Sequence, residues 1–149
     1  PEQVAEMTQL AAEEIRRFGL VPKAALLSHS NFGTSDAPSA AKMRAALPLI
    51  RARMPNLEIE GEMHGDAAIS EEVRLAAFPN SRLKGEANLL IMPNLDAANI
   101  TYNMVRVMTD GVAIGPILMG ISKPVHILTS SATPRPVFNA SRAMRVAFS

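Results

Sequence analysis

The sequence predicts an α/β fold, a three-layer sandwich with a mostly parallel sheet and helices on both faces. Short apolar runs typical of buried strands alternate with longer segments of helical periodicity, and Gly, Pro and Asn stand between them. Alternation of this kind along the 149 residues favours parallel strands joined by crossover helices. Ligands bind beyond the carboxyl ends of the strands in such sheets, so the loops that follow the strands form the candidate site.

The two predicted helices of the first half are amphipathic. Apolar residues recur at helical spacing from Val4 to Phe18, and Gly19 supplies a stop. The second helix places apolar residues of the range 43–54 on one face. Because proline lacks a backbone N–H, we expect Pro48 to kink or shorten this helix.

Four segments have the pattern of strands. Residues 24–28 form a short buried run, and residues 57–60 alternate apolar and acidic side chains as a half-buried strand does. Residues 88–92 form the clearest buried strand, and residues 124–128 form the last one.

Three further helices follow these strands. One begins after Ser70, where two glutamates complement the helix dipole. The next follows the loop 93–96, with Asp96 as its expected N-cap and an apolar stripe from Ile100 to Val107. The last begins at Thr133, which is followed by a proline at the first helical position.

Composition excludes several classes of protein. The net charge is +1, from 15 basic and 14 acidic residues, which gives no broad field for nucleic acid or a membrane surface. There is no Cys, which excludes disulfides and thiolate catalysis and fits the cytoplasm. No apolar run approaches the about 20 residues that span a bilayer. Since the chain begins at Pro1 without an initiator Met, we expect a piece of a longer protein.

Small polar residues, rather than acid–base pairs, follow three of the predicted strands. Their hydroxyls and amides suit hydrogen bonds to a phosphate or a carbonyl, and equally suit helix caps and turns. The candidate ligand contacts are Ser28, Ser30, Asn31, Thr34, Asn94, Asn99 and Ser130.

The three histidines, His29, His64 and His126, show no metal-ligand spacing. His64 lies near Glu62 and Asp66, so a carboxylate–histidine cluster is one interpretation. A hydrogen-bonded or exposed histidine is the favoured one, and we predict no metal site.

Stretches spread over essentially the whole chain resemble the phosphate acetyltransferase and butyryltransferase family. The loop 28–33 and the segment 93–100 look more like the acetyltransferase-like tail of bacterial NADP-dependent malic enzymes, since true acetyltransferases usually have Ser-Tyr-Ser-Thr at the first of these. The matching stretches are 24–30, 55–63, 66–69, 84–100, 113–120 and 123–125.

Two positions depart from the pattern of the active family. Ser130 stands where the resemblance places a catalytic arginine, and Pro136 where it places a catalytic aspartate. Serine does not stabilise developing negative charge as a guanidinium does, and proline accepts no proton. The resemblance therefore implies a catalytically silent domain that binds acetyl-CoA as an effector and contributes to oligomerisation.

The resemblance also implies two α/β lobes with coenzyme A between them. Residues 1–120 would form most of the second lobe, and residues 121–149 a strand and helix that return to a first lobe mostly missing here. Gly115, Pro116 and Gly120 would let the backbone approach the pantetheine arm. NADP and a divalent metal would belong to parent domains that this chain lacks, and the parent would be a homo-oligomer.

Two alternatives stay open. One is an active phosphate acetyltransferase in which Arg135 supplies the missing charge, although a proline on each side restricts it. The other is a purely structural dimerisation module with a vestigial cleft.

Overall fold

Three parallel strands form the central sheet in residues 1–109 and 114–120, the part of the chain that the computed structural model describes. The strand order is β2-β1-β3, so β1 is central. This confirms the predicted parallel α/β fold, whereas the predicted strand 124–128 and the last helix lie outside the described residues. The strands are β1 Lys23–Leu27, β2 Glu58–Met63 and β3 Leu89–Ile91; the helices are α1 Glu2–Arg17, α2 Pro38–Arg53, α3 Gly65–Ile69, α4 Glu71–Ala77 and α5 Leu95–Met108.

Helices cover both faces of the central strand. Ala24 and Leu26 belong to one buried cluster, which they share with apolar residues of α1 and α2. Ala25 and Leu27 point to the opposite face because side chains alternate along a strand, and they pack with Ala68 of α3. The sheet is therefore the middle of three layers.

The helix α2 is longer than predicted. It runs without interruption from Pro38 at its first position to Arg53, so the expectation that Pro48 shortens it is wrong. Leu47 and Ile50, on either side of this proline, are buried against the sheet, and this packing holds the helix together despite the missing backbone hydrogen bond. None of the described helices has the length and apolarity of a membrane-spanning helix.

Asparagine, rather than aspartate, caps α5. The side chain of Asn94 accepts a hydrogen bond from the backbone N–H of Ala97 at 2.9 Å, and Asp96 lies within the first turn, so the Asp96 cap was wrong. The helix starts two residues earlier than expected because asparagine is at least as good an N-cap. The predicted start of a helix after Ser70 is confirmed, and the Ser70 hydroxyl caps α4 by accepting from the N–H of Val73 at 3.3 Å.

The strand β2, which is the outer neighbour of β1 among the three described strands, is longer and more buried than the alternation at 57–60 predicted. Both Glu60 and Glu62 are buried although they are acidic. The Glu60 carboxylate accepts from Arg51 Nη2 at 2.9 Å on one oxygen and from the backbone N–H of Arg82 at 2.9 Å on the other. Burial is possible because both oxygens have donors.

A buried arginine holds the segment that leads into β3. Arg74 has no solvent exposure, and its guanidinium donates to the carbonyls of Ala67 at 2.9 Å, Leu83 at 3.2 Å and Gly85 at 2.6 Å, and to Ser81 Oγ at 3.2 Å. A planar fork with several donors can join these points at once, which a lysine ammonium cannot do in the same geometry. The crossover from α4 to β3 is thereby fixed against α3.

The central strand and β2 leave no room for a side chain at Gly61. Its φ is +147°, and a Cβ built there would lie 2.7 Å from both the Cβ and the backbone oxygen of Leu26. No side chain fits this gap without moving the strand backbone, so the sheet requires glycine at this point.

We expect Gly61→Ala to lower the free energy of unfolding by about 2 kcal/mol or more, through strain and the clash with β1. Gly65→Ala is the matched control, because a Cβ at Gly65 meets nothing within 4 Å. Urea unfolding of the two variants measures the difference. Equal stabilities would contradict the close approach.

Candidate ligand-binding edge of the sheet

The loops after β1, β2 and β3 meet at one edge, because the carboxyl ends of parallel strands point the same way. The longest of them, residues 28–37 between β1 and α2, is called the β1 loop below. Lys42 of α2 donates a hydrogen bond to the carbonyl of Pro93 after β3. This bond ties the loop after β3 to the helix that follows the β1 loop.

A buried carboxylate at the end of β2 lies beneath the β1 loop. One oxygen of Glu62 accepts from Ser30 Oγ at 2.8 Å, from the backbone N–H of Gly33 at 2.8 Å and from Arg44 Nη1 at 3.0 Å. The side chain is 1% exposed. Its second oxygen has no hydrogen-bond partner among the residues that the structure describes.

Arg44 of α2 connects this carboxylate to the end of the β1 loop. Besides Glu62, its guanidinium donates to the carbonyl of Ser35 at 3.3 Å and to the carboxylate of Asp36 at 3.0 Å. The buried Glu62 is thus compensated by a cation that also contacts the loop. The Asp36 pair is far more exposed and contributes little.

A second support joins the loop to the residue after β2. The backbone N–H of His64 donates to Asn31 Oδ1 at 2.7 Å, and this fixes the orientation of the amide, so Asn31 Nδ2 donates to His64 Nδ1 at 3.1 Å. The proton of the ring therefore lies on Nε2, which donates to the carbonyl of His29 at 2.9 Å. These three bonds are satisfied together only by the neutral Nε2–H tautomer.

Most backbone N–H groups of the β1 loop already have hydrogen-bond acceptors within this chain. Eight of its N–H groups donate to acceptors of this chain, which leaves few amides for a bound phosphate unless those bonds exchange. The eight belong to Ser28, Ser30, Asn31, Phe32, Gly33, Thr34, Ser35 and Ala37. The loop is preformed, and its exposed surface is formed by other groups, including the side chains of His29, Thr34 and Asp36.

The predicted contact residues of the β1 loop have internal partners. Ser30 is fully buried, and the two polar atoms of the Asn31 side chain both bond to His64. Ser28 Oγ accepts from the N–H of Ser30 at 3.1 Å, and Thr34 Oγ1 accepts from that of Asn31 at 3.0 Å. These side chains shape the loop, and their contact with a ligand stays a prediction.

The other predicted contacts lie on later segments. Asn94 caps α5, and Asn99 Nδ2 donates to the carbonyl one turn earlier in the helix at 3.2 Å. Gly115, Pro116 and Gly120 are exposed, and a Cβ on Gly120 would lie 3.3 Å from a methyl group of Leu10 in α1. Ser130 lies outside the described residues.

His64 is hydrogen-bonded, as the favoured interpretation held. Within residues 1–109 and 114–120, no group of three or more His, Asp and Glu side chains is arranged to hold a metal ion. Glu62, named only as a partner in the metal alternative, is instead the anchor of the β1 loop. The sequence prediction ended this strand at residue 60, whereas β2 continues to Met63 and therefore includes Glu62.

A cleft of about 470 Å³ lies at the opposite edge of the sheet. It is lined by residues that include Arg16, Asn56 and Glu58, before and at the amino end of β2. The β1 loop contributes nothing to this cleft, so the cleft is separate from the candidate site.

Comparison with known proteins agrees with this fold. The family model described as phosphate acetyl/butaryl transferase matches residues 1–144. A solved EutD phosphotransacetylase from Staphylococcus aureus superposes with a TM-score of 0.89 at 32% identity, covering 96% of this chain and 44% of that one.

Malic enzymes are also similar to the chain. It is 58% identical over 139 residues to an NADP-dependent malic enzyme of Escherichia coli and 59% identical over 138 residues to an NAD-dependent malic enzyme of Rhizobium meliloti. Each alignment covers 93% of this chain but only 18% of the relative, so the chain spans about a fifth of their length. The resemblance to the acetyltransferase-like part of malic enzymes is confirmed, and the chain belongs to the phosphate acetyl/butaryl transferase family.

Proposed function

We propose that this chain is the acetyltransferase-like regulatory domain of a malic enzyme, which binds acetyl-CoA as an effector and does not transfer the acetyl group. The observation that carries the proposal is the pair Ser130 and Pro136, which stand at the positions where the resemblance to the active family places an arginine and an aspartate. High identity to malic enzymes across nearly the whole chain supports the same assignment.

The parent protein would oxidise and decarboxylate malate in the cytoplasm, using a nicotinamide cofactor and a divalent metal held by other domains. The sequence resemblance favours NADP, while one relative of nearly equal identity is named as NAD-dependent. Cofactor choice therefore belongs to a part of the parent outside this chain.

Regulation follows if acetyl-CoA binds the two states of the parent with different affinity. The preformed β1 loop supports such a site, because little ordering cost is left for the ligand to offset. The ligand would reach the edge where the loops after β1, β2 and β3 meet.

In the full-length parent protein, acetyl-CoA is expected to inhibit malate oxidation by lowering the affinity for malate about 5- to 150-fold, the range of typical allosteric couplings. Initial rates and calorimetry are measured with acetyl-CoA and, as a control, with acetyl phosphate, which lacks the CoA part. If acetyl-CoA gives no heat of binding and leaves the rate of malate oxidation unchanged, the proposal is contradicted and the purely structural alternative is favoured.

The same preparation, given acetyl-CoA and phosphate, is expected to form no acetyl phosphate, with an active phosphotransacetylase as the positive control. The reason is that neither Ser130 nor Pro136 can perform the charge stabilisation and proton transfer of the missing residues. Clear turnover would favour the active-acetyltransferase alternative, in which Arg135 supplies the charge.

An apolar stripe on α5 supports a role in oligomerisation. Ile100, Met104 and Val107 lie on one side of the helix and are 61%, 58% and 73% exposed. No residue of α5 is buried in the described part of the chain. We propose that this stripe contributes to contacts between subunits of the parent.

We expect Met104→Glu to reduce the oligomer mass of the full-length protein, because it places a charge within the stripe. Asn103→Glu is the matched control, since Asn103 is exposed on a neighbouring side of the same helix. Light scattering after size-exclusion chromatography compares the two variants. An unchanged mass for Met104→Glu would exclude this stripe as a subunit contact.

A further inference from the structure

The turn at the tip of the β1 loop has an unfavourable backbone conformation. Phe32 has a φ of +49° and Gly33 a φ of +91°. A bulky residue in the left-handed region carries a cost that the surrounding structure has to offset. The ring of Phe32 stacks on that of Phe78, with centroids 4.6 Å apart, but this contact does not fix the backbone.

Glu62 holds both residues of this turn. Its backbone carbonyl accepts from the N–H of Phe32 at 2.8 Å, and its carboxylate accepts from the N–H of Gly33 at 2.8 Å. The same carboxylate oxygen bonds to the hydroxyl of Ser30, three residues earlier. One residue of β2 therefore fixes the turn from two sides.

The negative charge of the Glu62 carboxylate also strengthens its hydrogen bonds to the loop and to α2. Arg44 donates to the same Glu62 oxygen that accepts hydrogen bonds from the Ser30 hydroxyl and the Gly33 N–H. A carboxylate anion makes these three hydrogen bonds stronger than a neutral acceptor would. Arg44 also reaches the carbonyl of Ser35 at the other end of the loop. A neutral group at Glu62 would weaken the link between the turn and α2.

We propose that Glu62 is a positioning residue for the acyl-CoA site: its buried anionic carboxylate holds the β1 loop in the conformation that receives the ligand. The proposal rests on the proposed function for the identity of the ligand. It assigns to Glu62 an action through Ser30, Gly33 and Arg44, without contact with the ligand.

The test compares Glu62→Gln with Glu6→Gln in the full-length protein. Both variants replace a carboxylate by an amide, but Glu6 is exposed on α1. Hydrogen exchange is followed in peptides that cover 28–37 and, as an internal reference, 2–17, and acetyl-CoA affinity is measured by calorimetry.

For Glu62→Gln we expect faster exchange in the β1 loop, unchanged exchange in α1, and acetyl-CoA affinity lower by about tenfold, which corresponds to the loss of one charge-assisted hydrogen bond. Glu6→Gln should match the wild type in all three measurements. If the β1 loop of Glu62→Gln exchanges at the same rate as in the wild type, the proposal is overturned. Faster exchange in the loop with unchanged acetyl-CoA affinity would overturn it as well.

Arg44→Lys provides a second route if Glu62→Gln fails to fold. Lysine keeps the positive charge but lacks the fork that reaches Glu62, Ser35 and Asp36 together, so the loop should again exchange faster. Unchanged exchange would contradict the proposal. If the wild type itself binds no acetyl-CoA, the proposed function fails, while the exchange data still decide whether Glu62 holds the loop.

Discussion

The attachment of the β1 loop to the end of β2 is the constraint on which the candidate site depends. A carboxylate that is buried to 1% exposure requires donors, and the donors that reach Glu62 come from the loop and from α2. This requirement orders a turn whose own backbone preference is poor. Asn31 and His64 add a second, neutral attachment at the same edge.

Several side chains of the β1 loop support its shape, while others are exposed at the same edge. The hydroxyl of Ser30 and the amide of Asn31 are directed into the protein, whereas the side chains of His29, Thr34 and Asp36 are exposed. A site can lose its catalytic charges and keep its shape when the shape depends on supports such as Glu62. Under the proposed function, this separation would be the physical reason why an acetyltransferase fold serves as a regulatory domain.

The sequence predicted the parts of the fold that depend on periodicity. The helix from Val4, the buried strand at 24–28 and the parallel α/β class follow from apolar spacing, and the structure has all three. It did not predict the burial of Glu60 and Glu62, because alternation assigns acidic residues to a solvent face. Their burial depends on partners such as Arg44 that are distant in sequence, and only the fold brings these residues together.

The central claim is that acetyl-CoA binds at the edge where the β1 loop meets β2, and that the loop is already in its final shape. A crystal structure of the full-length protein with acetyl-CoA tests it most directly. We expect ligand density beyond the carboxyl ends of β1, β2 and β3, with the contacts from Glu62 to Ser30 and Gly33 unchanged. Ligand density at another surface, or a β1 loop that rebuilds around the ligand and leaves Glu62, would contradict the claim.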